Sequence, residues 1–343
     1  MVEVYVSLTT SVVIPVWNAV RTIDDCLRSI NEQYHSPYEI IIVDDGSDDS
    51  TAELCKKFPV RILSTGGRKG PAAARNLGAE KAEGDVILFL DSDVTVPPDL
   101  IEKVEHHFED TSLWALQTLY TPVCPASDSV SLYQNYYYFH SINRIPEENS
   151  ATFATWCAAV RRNRFLEAGG FNVRIPEPTV EDEELGYTIA DSGGKILVDK
   201  TIQVTHLASY TLGQFTSRRL RMARAQAKSG WRQIKNRLLA RYINVRESGT
   251  HHSRWVVLSI LLVLVAQLLL VQAALFLNAS FLALAAIAYA AAIMCHTGFL
   301  IGAGKKLGKR KIPVFTLLCL YDMAVLGWGI IQGTLQYFTG RKY

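Results

Sequence analysis

The segment Val86-Ile-Leu-Phe-Leu-Asp-Ser-Asp93 joins five apolar residues to two aspartates that flank a serine. A short apolar run of this kind predicts a buried strand, and the end of this strand carries the pattern Asp-x-Asp. The same arrangement occurs earlier in the chain, where a strand candidate at 38–43 ends in Asp44-Asp45-Gly46-Ser47. Each of the two strands therefore carries carboxylates at its carboxyl end.

Two more apolar runs, at 11–16 and 60–63, complete a set of four predicted strands. Helix-like stretches at 19–31, 50–58 and 70–82 alternate with them. Strands that are apolar throughout and that alternate with helices predict an α/β fold whose parallel sheet is covered on both faces. Ligands of such sheets bind beyond the carboxyl ends of the strands, which is where the carboxylates gather.

The gathering of carboxylates predicts a divalent cation. Carboxylates that crowd together repel one another and raise each other's pKa values, and a bound cation removes that cost. The oxygen ligands of an Asp-x-Asp turn suit Mg²⁺ or Mn²⁺, which keep waters and substrate phosphates as further ligands. We therefore expect Mg²⁺ or Mn²⁺ as a cofactor at the Asp91-Ser92-Asp93 turn.

Four segments, in this order, resemble family 2 glycosyltransferases of the GT-A fold. They read SVVIPVWN at 11–18, IIVDDGS at 41–47, GPAAARNLG at 70–78 and FLDSDV at 89–94. The likeness continues through Gly169-Gly170-Phe171, Glu181-Asp182 and His206, and it covers roughly residues 10–225. It implies a Rossmann-like nucleotide-sugar domain, a nucleotide-diphosphate sugar as donor and inversion at the anomeric carbon.

The resemblance also implies donor-binding and metal-binding residues. Those that would bind the donor are Pro15, Val16, Trp17, Asn18, Asp44, Asp45, Gly46, Gly70, Arg75, Asp91, Ser92 and Asp93. Asp44 would accept a hydrogen bond from the base, and Arg75 would lie near the ribose and the diphosphate, because a guanidinium suits phosphate. The metal ligands would be Asp91, Asp93 and His206, and the metal would offset charge on the departing diphosphate.

Asp182 aligns with the catalytic base of the family. Inversion needs one base, on the face opposite the leaving group, that takes the proton of the acceptor hydroxyl. Other carboxylates flank Asp182, but successive residues of a helix point about 100° apart, so only one or two of them can face the cleft. Further candidates for contacts with the acceptor or the diphosphate are Glu181, His206, Arg218 and Arg219.

Charge divides the chain into an acidic and a basic part. Residues 1–199 hold 31 Asp and Glu against 16 Lys and Arg, whereas residues 200–343 hold 2 against 19. Three apolar runs in the basic part have the length of membrane spans and predict helices over 255–277, 281–303 and 312–338. Five bases between the second and third runs favour a cytoplasmic loop, which puts the first domain of this multi-pass membrane protein in the cytoplasm.

The segment 212–254 connects the two parts. It has ten bases and no acid between 214 and 246, interleaved with apolar residues, and this pattern predicts amphipathic helices on an anionic membrane surface. The predicted organisation is a cytoplasmic GT-A domain at 1–211, interfacial helices at 212–254 and a transmembrane domain with three helices at 255–343. Nucleic-acid binding would also use such bases, but the adjacent spans explain them better.

These observations favour a metal-dependent inverting hexosyltransferase that moves a sugar to a lipid-linked acceptor at the membrane, as in glycan-precursor, N-glycan-precursor or glycolipid synthesis. Similarity to polyprenol- and dolichol-linked mannosyltransferases points to GDP-mannose, with UDP-glucose next. One alternative is a processive, cellulose-synthase-like polysaccharide synthase. The motif of that group is Gln-x-x-Arg-Trp, whereas the spacing here is Gln214-x-x-x-Arg218, and Leu220 stands in place of a tryptophan after Arg219. The other alternative is a non-catalytic nucleotide-binding membrane subunit.

Overall fold

The chain divides into two compact units, an α/β unit at 1–121 and 143–208 and a helical unit at 122–142 and 209–343. A computed structural model describes the residues 8–148, 150–151, 153–175, 178–235 and 254–341. The predicted domain boundary after residue 211 is close to the observed one after residue 208. In contrast, the sequence did not indicate that a segment inside the first domain belongs to the helical unit.

The described residues contain strands and helices in the following order. The strands are β1 (Thr10–Val16), β2 (Glu39–Asp44), β3 (Arg61–Ser64), β4 (Val86–Leu90), β5 (Val94–Thr95), β6 (Leu113–Tyr120), β7 (Cys157–Arg161) and β8 (Lys195–His206). The helices are α1 (Ile23–Asn31), α2 (Thr51–Cys55), α3 (Pro71–Lys81), α4 (Leu100–Phe108), α5 (Ser129–Asn143), α6 (Arg162–Glu167), α7 (Glu181–Asp191), α8 (Leu212–Lys235), α9 (Arg254–Phe276), α10 (Ala279–Cys295), α11 (Thr297–Leu307) and α12 (Ile312–Phe338). A short 3₁₀ helix, Lys309–Lys311, precedes α12.

The strands form one sheet in the order β3-β2-β1-β4-β7-β6-β8-β5. β1 is parallel to β2 and β4, and β2 is parallel to β3, as the sequence predicts. In contrast, β7 runs antiparallel to both of its neighbours, β4 and β6, so the sheet is parallel over its first four strands and mixed as a whole. An apolar run has the same composition in either direction, and for this reason it could not reveal the reversal.

Residues 195–206 form a single strand, β8, which joins the segments 195–198 and 201–206. The backbone stays extended across the polar pair between them, and β8 continues for 12 residues. Its register against β6 shifts on the way. The polar pair Asp199-Lys200 therefore lies at a shift in strand register and not at a turn between two strands.

Helix α3 packs tightly on the parallel part of the sheet. Its small side chains Ala72, Ala74 and Ala79 are buried in one cluster with strand residues of β1, β2 and β4. At Gly78 the backbone of α3 comes so close to the side chain of Val13 that an added Cβ would collide with it. This close approach fixes α3 against the sheet and brings its first residue to the carboxyl edge of the strands.

In the helical unit, α9 and α12 are each long and apolar enough to cross a membrane. They match the predicted spans at 255–277 and 312–338. The predicted span at 281–303 corresponds to the pair α10 and α11, which are bent by 58° at a break between them. Thr297 and Gly298, directly after the break, are weak helix formers. The bent pair could count as a third span.

Helix α8 runs along α12 in the same direction. The Thr216 Oγ1 and Tyr321 Oη atoms lie 2.7 Å apart, and further along both helices Trp231 Nε1 donates to Thr334 Oγ1 at 3.1 Å. The two helices therefore share one orientation. α8 covers the first part of the predicted segment 212–254, and the placement of that segment on a membrane surface stays a prediction. The rest of that predicted segment, 236–253, is outside the described residues.

Candidate active site

The carboxyl ends of β1, β2 and β3 lie side by side. Val16 pairs with Asp44, and Asp44 pairs with Ser64. Because neighbouring strands are about 4.8 Å apart, the three loops that follow these residues form one continuous edge. The motifs at 11–18 and 41–47 lie at this edge. The loop after β3 leads into α3.

The loop after β1 is shorter than the resemblance implied. Pro15 and Val16 lie inside β1, and Val16 is buried, so only Trp17 and Asn18 reach the edge. Asn18 has a left-handed backbone with φ +50°. Its Nδ2 donates to Asp48 Oδ1 at 2.7 Å, and its Oδ1 accepts from the Asp48 N–H at 3.0 Å. Asn18 thereby ties the first loop to the second and leaves Trp17, which is 43% exposed, on the surface.

The Asp-Asp-Gly turn uses its carboxylates to hold the protein together. Asp44 Oδ1 accepts from the N–H and the hydroxyl of Ser47 at 3.0 and 2.7 Å. Asp45 is buried, and its Oδ1 and Oδ2 accept from the backbone N–H groups of Lys69 and Gly70, both at 2.8 Å. Asp45 therefore fixes the loop in front of α3, and its predicted contact with the donor stays a prediction.

Glycine is required at two positions of this edge by the backbone. Gly46 has φ +82°, and a Cβ there would lie 3.2 Å from the backbone nitrogen of Arg68. Gly70 has φ +92° and precedes the first residue of α3, Pro71. Both glycines thus shape the edge, and their predicted contact with a donor stays a prediction.

Arg75 on α3 is the centre of a buried charge cluster. Its Nη2 lies 2.7 Å from Asp91 Oδ1, and its Nη1 lies 3.1 Å from Glu181 Oε1. Arg75 is 4% exposed and Glu181 is 3% exposed. Glu181 joins α7 to α3 through Arg75, and its predicted contact with the acceptor or the diphosphate stays a prediction. Arg75 links both helices to the Asp-x-Asp turn, a positioning role that the sequence did not predict.

Asp182 follows Glu181 at the start of α7. Its Oδ2 accepts from the backbone N–H of Thr155 at 3.3 Å. Burial raises the pKa of Asp182 well above its ordinary value, and the charges of Glu181 and Glu183 raise it further, while Arg75 opposes the shift. A carboxyl group whose pKa moves toward the working pH is a better proton acceptor. Asp182 therefore has the electrostatic setting of a general base.

Asp93 and His206 form a pair that can hold a divalent cation. The Asp93 Oδ2 and His206 Nε2 atoms lie 3.4 Å apart, and the Asp93 side chain is 31% exposed. Within the part of the chain that the structure describes, no group of three or more His, Cys, Asp and Glu side chains could hold a metal. Mg²⁺ and Mn²⁺ accept one or two carboxylates and take further ligands from phosphate and water, so this pair fits such an ion.

The other two residues of the Asp-x-Asp turn have different surroundings. Asp91 contacts Arg75 through Oδ1, and its backbone N–H donates to the carbonyl of Trp156 at 2.9 Å. Ser92 is half-buried between the two aspartates. The predicted ligation of the metal by Asp91 stays a prediction, because its nearest cation is a guanidinium of the protein.

The two arginines that the sequence suggested for the acceptor or the diphosphate lie on α8 in the helical unit. Arg219 Nε and Nη2 each lie 2.6 Å from an oxygen of Asp322 on α12, and Tyr133 Oη donates to the same carboxylate at 3.0 Å. This ion pair is buried, so Arg219 has a structural partner. Arg218 donates from Nη1 to Tyr210 Oη at 3.4 Å and lies over the Tyr210 ring.

Sequence analysis did not identify Arg68. Its guanidinium carbon lies 3.5 Å from the centroid of the Trp17 ring, and both side chains are exposed. The available signal was the basic pair Arg68-Lys69, which lies between glycines directly before α3. A basic residue in a glycine-rich loop at the carboxyl edge of a parallel sheet is well placed for an anionic ligand.

Comparison with protein families assigns residues 11–169 to the model described as "Glycosyl transferase family 2". An uncharacterized glycosyltransferase of Haemophilus influenzae is 41% identical over 98 residues, which are 27% of this chain and 39% of that protein. Glycosyltransferase GlyG of Streptococcus pneumoniae is 35% identical over 105 residues, which are 29% of this chain and 35% of that protein. The aligned region thus spans well under half of each relative.

Among solved structures, the mannosyltransferase PcManGT from Pyrobaculum calidifontis, in complex with GDP-Man and Mn²⁺, is similar to this chain with a TM-score of 0.58. The alignment covers 96% of this chain and 87% of that one at 19% identity. At this identity the likeness concerns the fold alone. It agrees with the GT-A fold, an α/β domain followed by helices, that the sequence predicts.

Proposed function

We propose that the chain, whose residues 11–169 match the family 2 glycosyltransferase model, is an inverting, metal-dependent hexosyltransferase with a nucleotide-diphosphate sugar as donor and a lipid-linked acceptor. The observation that carries this proposal is the cluster of Arg75 with Asp91 and Glu181, next to Asp182. The cluster connects the donor edge of the sheet to the helix of the proposed base. GDP-mannose is the first candidate donor, and UDP-glucose is the second.

The donor nucleotide lies along the edge formed by the loops after β1, β2 and β3. Trp17 and Asp44 line this edge and are not buried. The diphosphate extends toward the Asp-x-Asp turn after β4, where Asp93 and His206 would hold Mg²⁺ or Mn²⁺. That ion would supply positive charge against the negative charge that develops on the departing diphosphate.

Asp182 takes the proton of the acceptor hydroxyl while the hydroxyl oxygen forms a bond to the anomeric carbon. The bond between that carbon and the diphosphate oxygen breaks at the same time, and the diphosphate leaves with the electron pair. The configuration at the carbon is inverted because attack and departure occur on opposite faces. The raised pKa of Asp182 supports this role, because a more basic carboxylate accepts the proton more readily.

Arg75 holds the parts of the site in place. With two carboxylates at hydrogen-bonding distance, its charge is already balanced, and this favours a positioning role over direct binding of a phosphate. By bridging Asp91 and Glu181, it keeps the end of β4 and the start of α7 at a constant separation. Since a displacement of about 1 Å can cost a hundredfold in rate, such a bridge matters for transfer.

The helical unit supports the proposal that the acceptor is lipid-linked. Two helices of spanning length and composition, α9 and α12, support a membrane location, and the five bases at 305–311, from the end of α11 to the start of α12, support a cytoplasmic active site. Nucleotide sugars would then be used on the cytoplasmic face, with the acceptor held in the adjacent leaflet. This fits a role in the synthesis of lipid-linked glycans or glycolipids.

The test of the proposed function is the variant Asp182→Asn, measured in the full-length protein with GDP-mannose or UDP-glucose, Mn²⁺ and a polyprenyl-diphosphate-linked sugar, whose hydroxyl is the acceptor. We expect the transfer rate to fall by about 10²- to 10⁴-fold, the contribution of a general base, while GDP or UDP still binds. Glu184→Gln is the matched control, because Glu184 lies on the same turn of α7 and bonds Asn172. Transfer at the wild-type rate by Asp182→Asn would contradict the assigned base.

A further inference from the structure

Trp17 and Arg68 contact each other across the end of a strand that lies between them. Trp17 follows β1 and Arg68 belongs to the loop after β3, whereas β2 is the strand in the middle. The guanidinium of Arg68 nevertheless stacks on the Trp17 ring at 3.5 Å. The pair therefore bridges the carboxyl end of β2, where Asp44 is located.

The backbone of the loop that carries Arg68 is held firmly. Asp45 binds the N–H groups of the two residues that follow Arg68, and it also accepts from Thr65 Oγ1 at 2.8 Å. Gly46 lies directly under the loop, because a Cβ there would be 3.2 Å from the Arg68 nitrogen. Among the described residues, the contact of the Arg68 side chain is its stacking on Trp17 at an exposed site, which is a weak interaction. The side chain can exchange this contact for hydrogen bonds to a ligand.

We propose that Arg68 reads the nucleobase of the donor at this position and selects guanine. The inference rests on the proposed function, since it concerns the donor of that same reaction. Guanine offers two acceptors side by side, O6 and N7, which the planar fork of an arginine contacts with two hydrogen bonds. Uracil has a single acceptor, O4, next to an N–H donor on the corresponding edge, so the same fork finds one partner only.

Asp44 complements Arg68 in this recognition. Guanine also carries two neighbouring donors, N1–H and the N2 amino group, and a carboxylate accepts from such donors. In the described part of the chain, both hydrogen bonds from Ser47 end on Asp44 Oδ1, so Oδ2 is the oxygen that would accept from the base. A cation and a carboxylate that border the same position match the acceptor and donor edges of guanine better than those of uracil.

The experiment compares the binding of GDP and UDP, each with Mn²⁺, to the purified full-length protein by titration calorimetry. We expect the wild type to bind GDP more tightly than UDP. Arg68→Ala should weaken GDP binding by about 10- to 100-fold, the range of one good bidentate contact, while UDP binding changes little. Retained UDP binding also shows that the variant is folded. Arg68→Lys should lose most of the preference, because it keeps the charge without the fork.

Lys69→Ala is the matched control. It removes a positive charge from the same loop, but the part of Lys69 that the fold uses is its backbone N–H, so the preference for GDP should persist. A preference for UDP in the wild type, or an unchanged preference in Arg68→Ala or Arg68→Lys, would overturn the inference and leave the proposed function intact. Binding of neither nucleotide by the wild type would contradict the proposed function, and this inference with it.

Discussion

Asp182 owes its basicity to its surroundings. An aspartate in water is a weak base, and a general base works best when its pKa lies near the working pH. Burial penalises the charged form of Asp182, and the carboxylates on either side of it add repulsion, so its pKa rises. The nearby Arg75 limits this rise. The neighbouring acids at the start of α7 thus raise the pKa of Asp182.

The rate of sugar transfer should follow the ionisation of Asp182. Since only the deprotonated carboxylate accepts a proton, we expect kcat/KM to fall with decreasing pH, at a pH well above the usual pKa of an aspartate. Glu183→Gln removes one repelling charge, which lowers the pKa of Asp182 and moves the acid limb of the profile to lower pH. A pH profile of kcat/KM for both proteins tests this. An acid limb that stays in place, or moves upward, would refute the assigned coupling.

The helices α3 and α7 are joined to β4 by one buried side chain. Arg75 on α3 reaches Asp91 after β4 and Glu181 on α7, and little of it is exposed. Because a buried charge without a partner is costly, each of the three elements depends on the others. The loop before α3 is held in a similar way by Asp45. Elements that are distant in the chain are thus connected at the site by polar contacts.

Removal of the Arg75 charge should destabilise the α/β unit. Arg75→Met leaves two carboxylates close together without their cation, and we expect a loss of about 3–5 kcal/mol in the free energy of unfolding, the cost of breaking a buried pair. Arg61→Met is the control, since the Arg61–Glu39 pair at 3.8 Å is exposed on the arginine side. That change should cost about 1 kcal/mol or less. Denaturant titration of the detergent-solubilised protein measures both, and equal losses would contradict the argument.

The protein as a whole combines an acidic α/β unit with a basic helical unit. Within the helical unit the spans are not independent of the basic helix, because α8 and α12 are parallel and share the buried pair of Arg219 and Asp322. An acid within an apolar span is costly, and Arg219 supplies its partner. The buried Arg219–Asp322 ion pair therefore joins α8 to α12 in addition to their hydrogen bonds and apolar contacts.

The Arg219–Asp322 pair should stabilise the protein because neither buried charge is left without an opposite charge. Asp322→Leu leaves Arg219 buried and alone, and we expect it to lower the melting temperature of the protein in detergent. The double variant Arg219→Met/Asp322→Leu should recover most of the loss, because replacing a whole buried pair by apolar groups is often neutral or stabilising. A double variant that melts as low as Asp322→Leu would show that the specific hydrogen bonds, and not the balance of charge, are needed.

Local sequence patterns were sufficient to predict much of this architecture. The four strands β1 to β4, the turns after β2 and β4, and the order of the motifs follow from apolar runs and from residues adjacent in the chain, which act over a few positions. The direction of β7 and the bend at residue 296 did not follow from them, because strand pairing and helix packing involve distant residues.

The partners of individual side chains could not be predicted from the sequence either. Asp45, Arg75 and Glu181 are predicted ligand contacts, and folding also gives them partners from distant parts of the chain, opposite charges for Arg75 and Glu181 and N–H groups for Asp45. Folding likewise brings Arg68 onto Trp17. Long-range packing determines the partner of each polar group. A buried charge pairs with the polar groups that folding brings within hydrogen-bonding distance, and these are often far from it in the sequence.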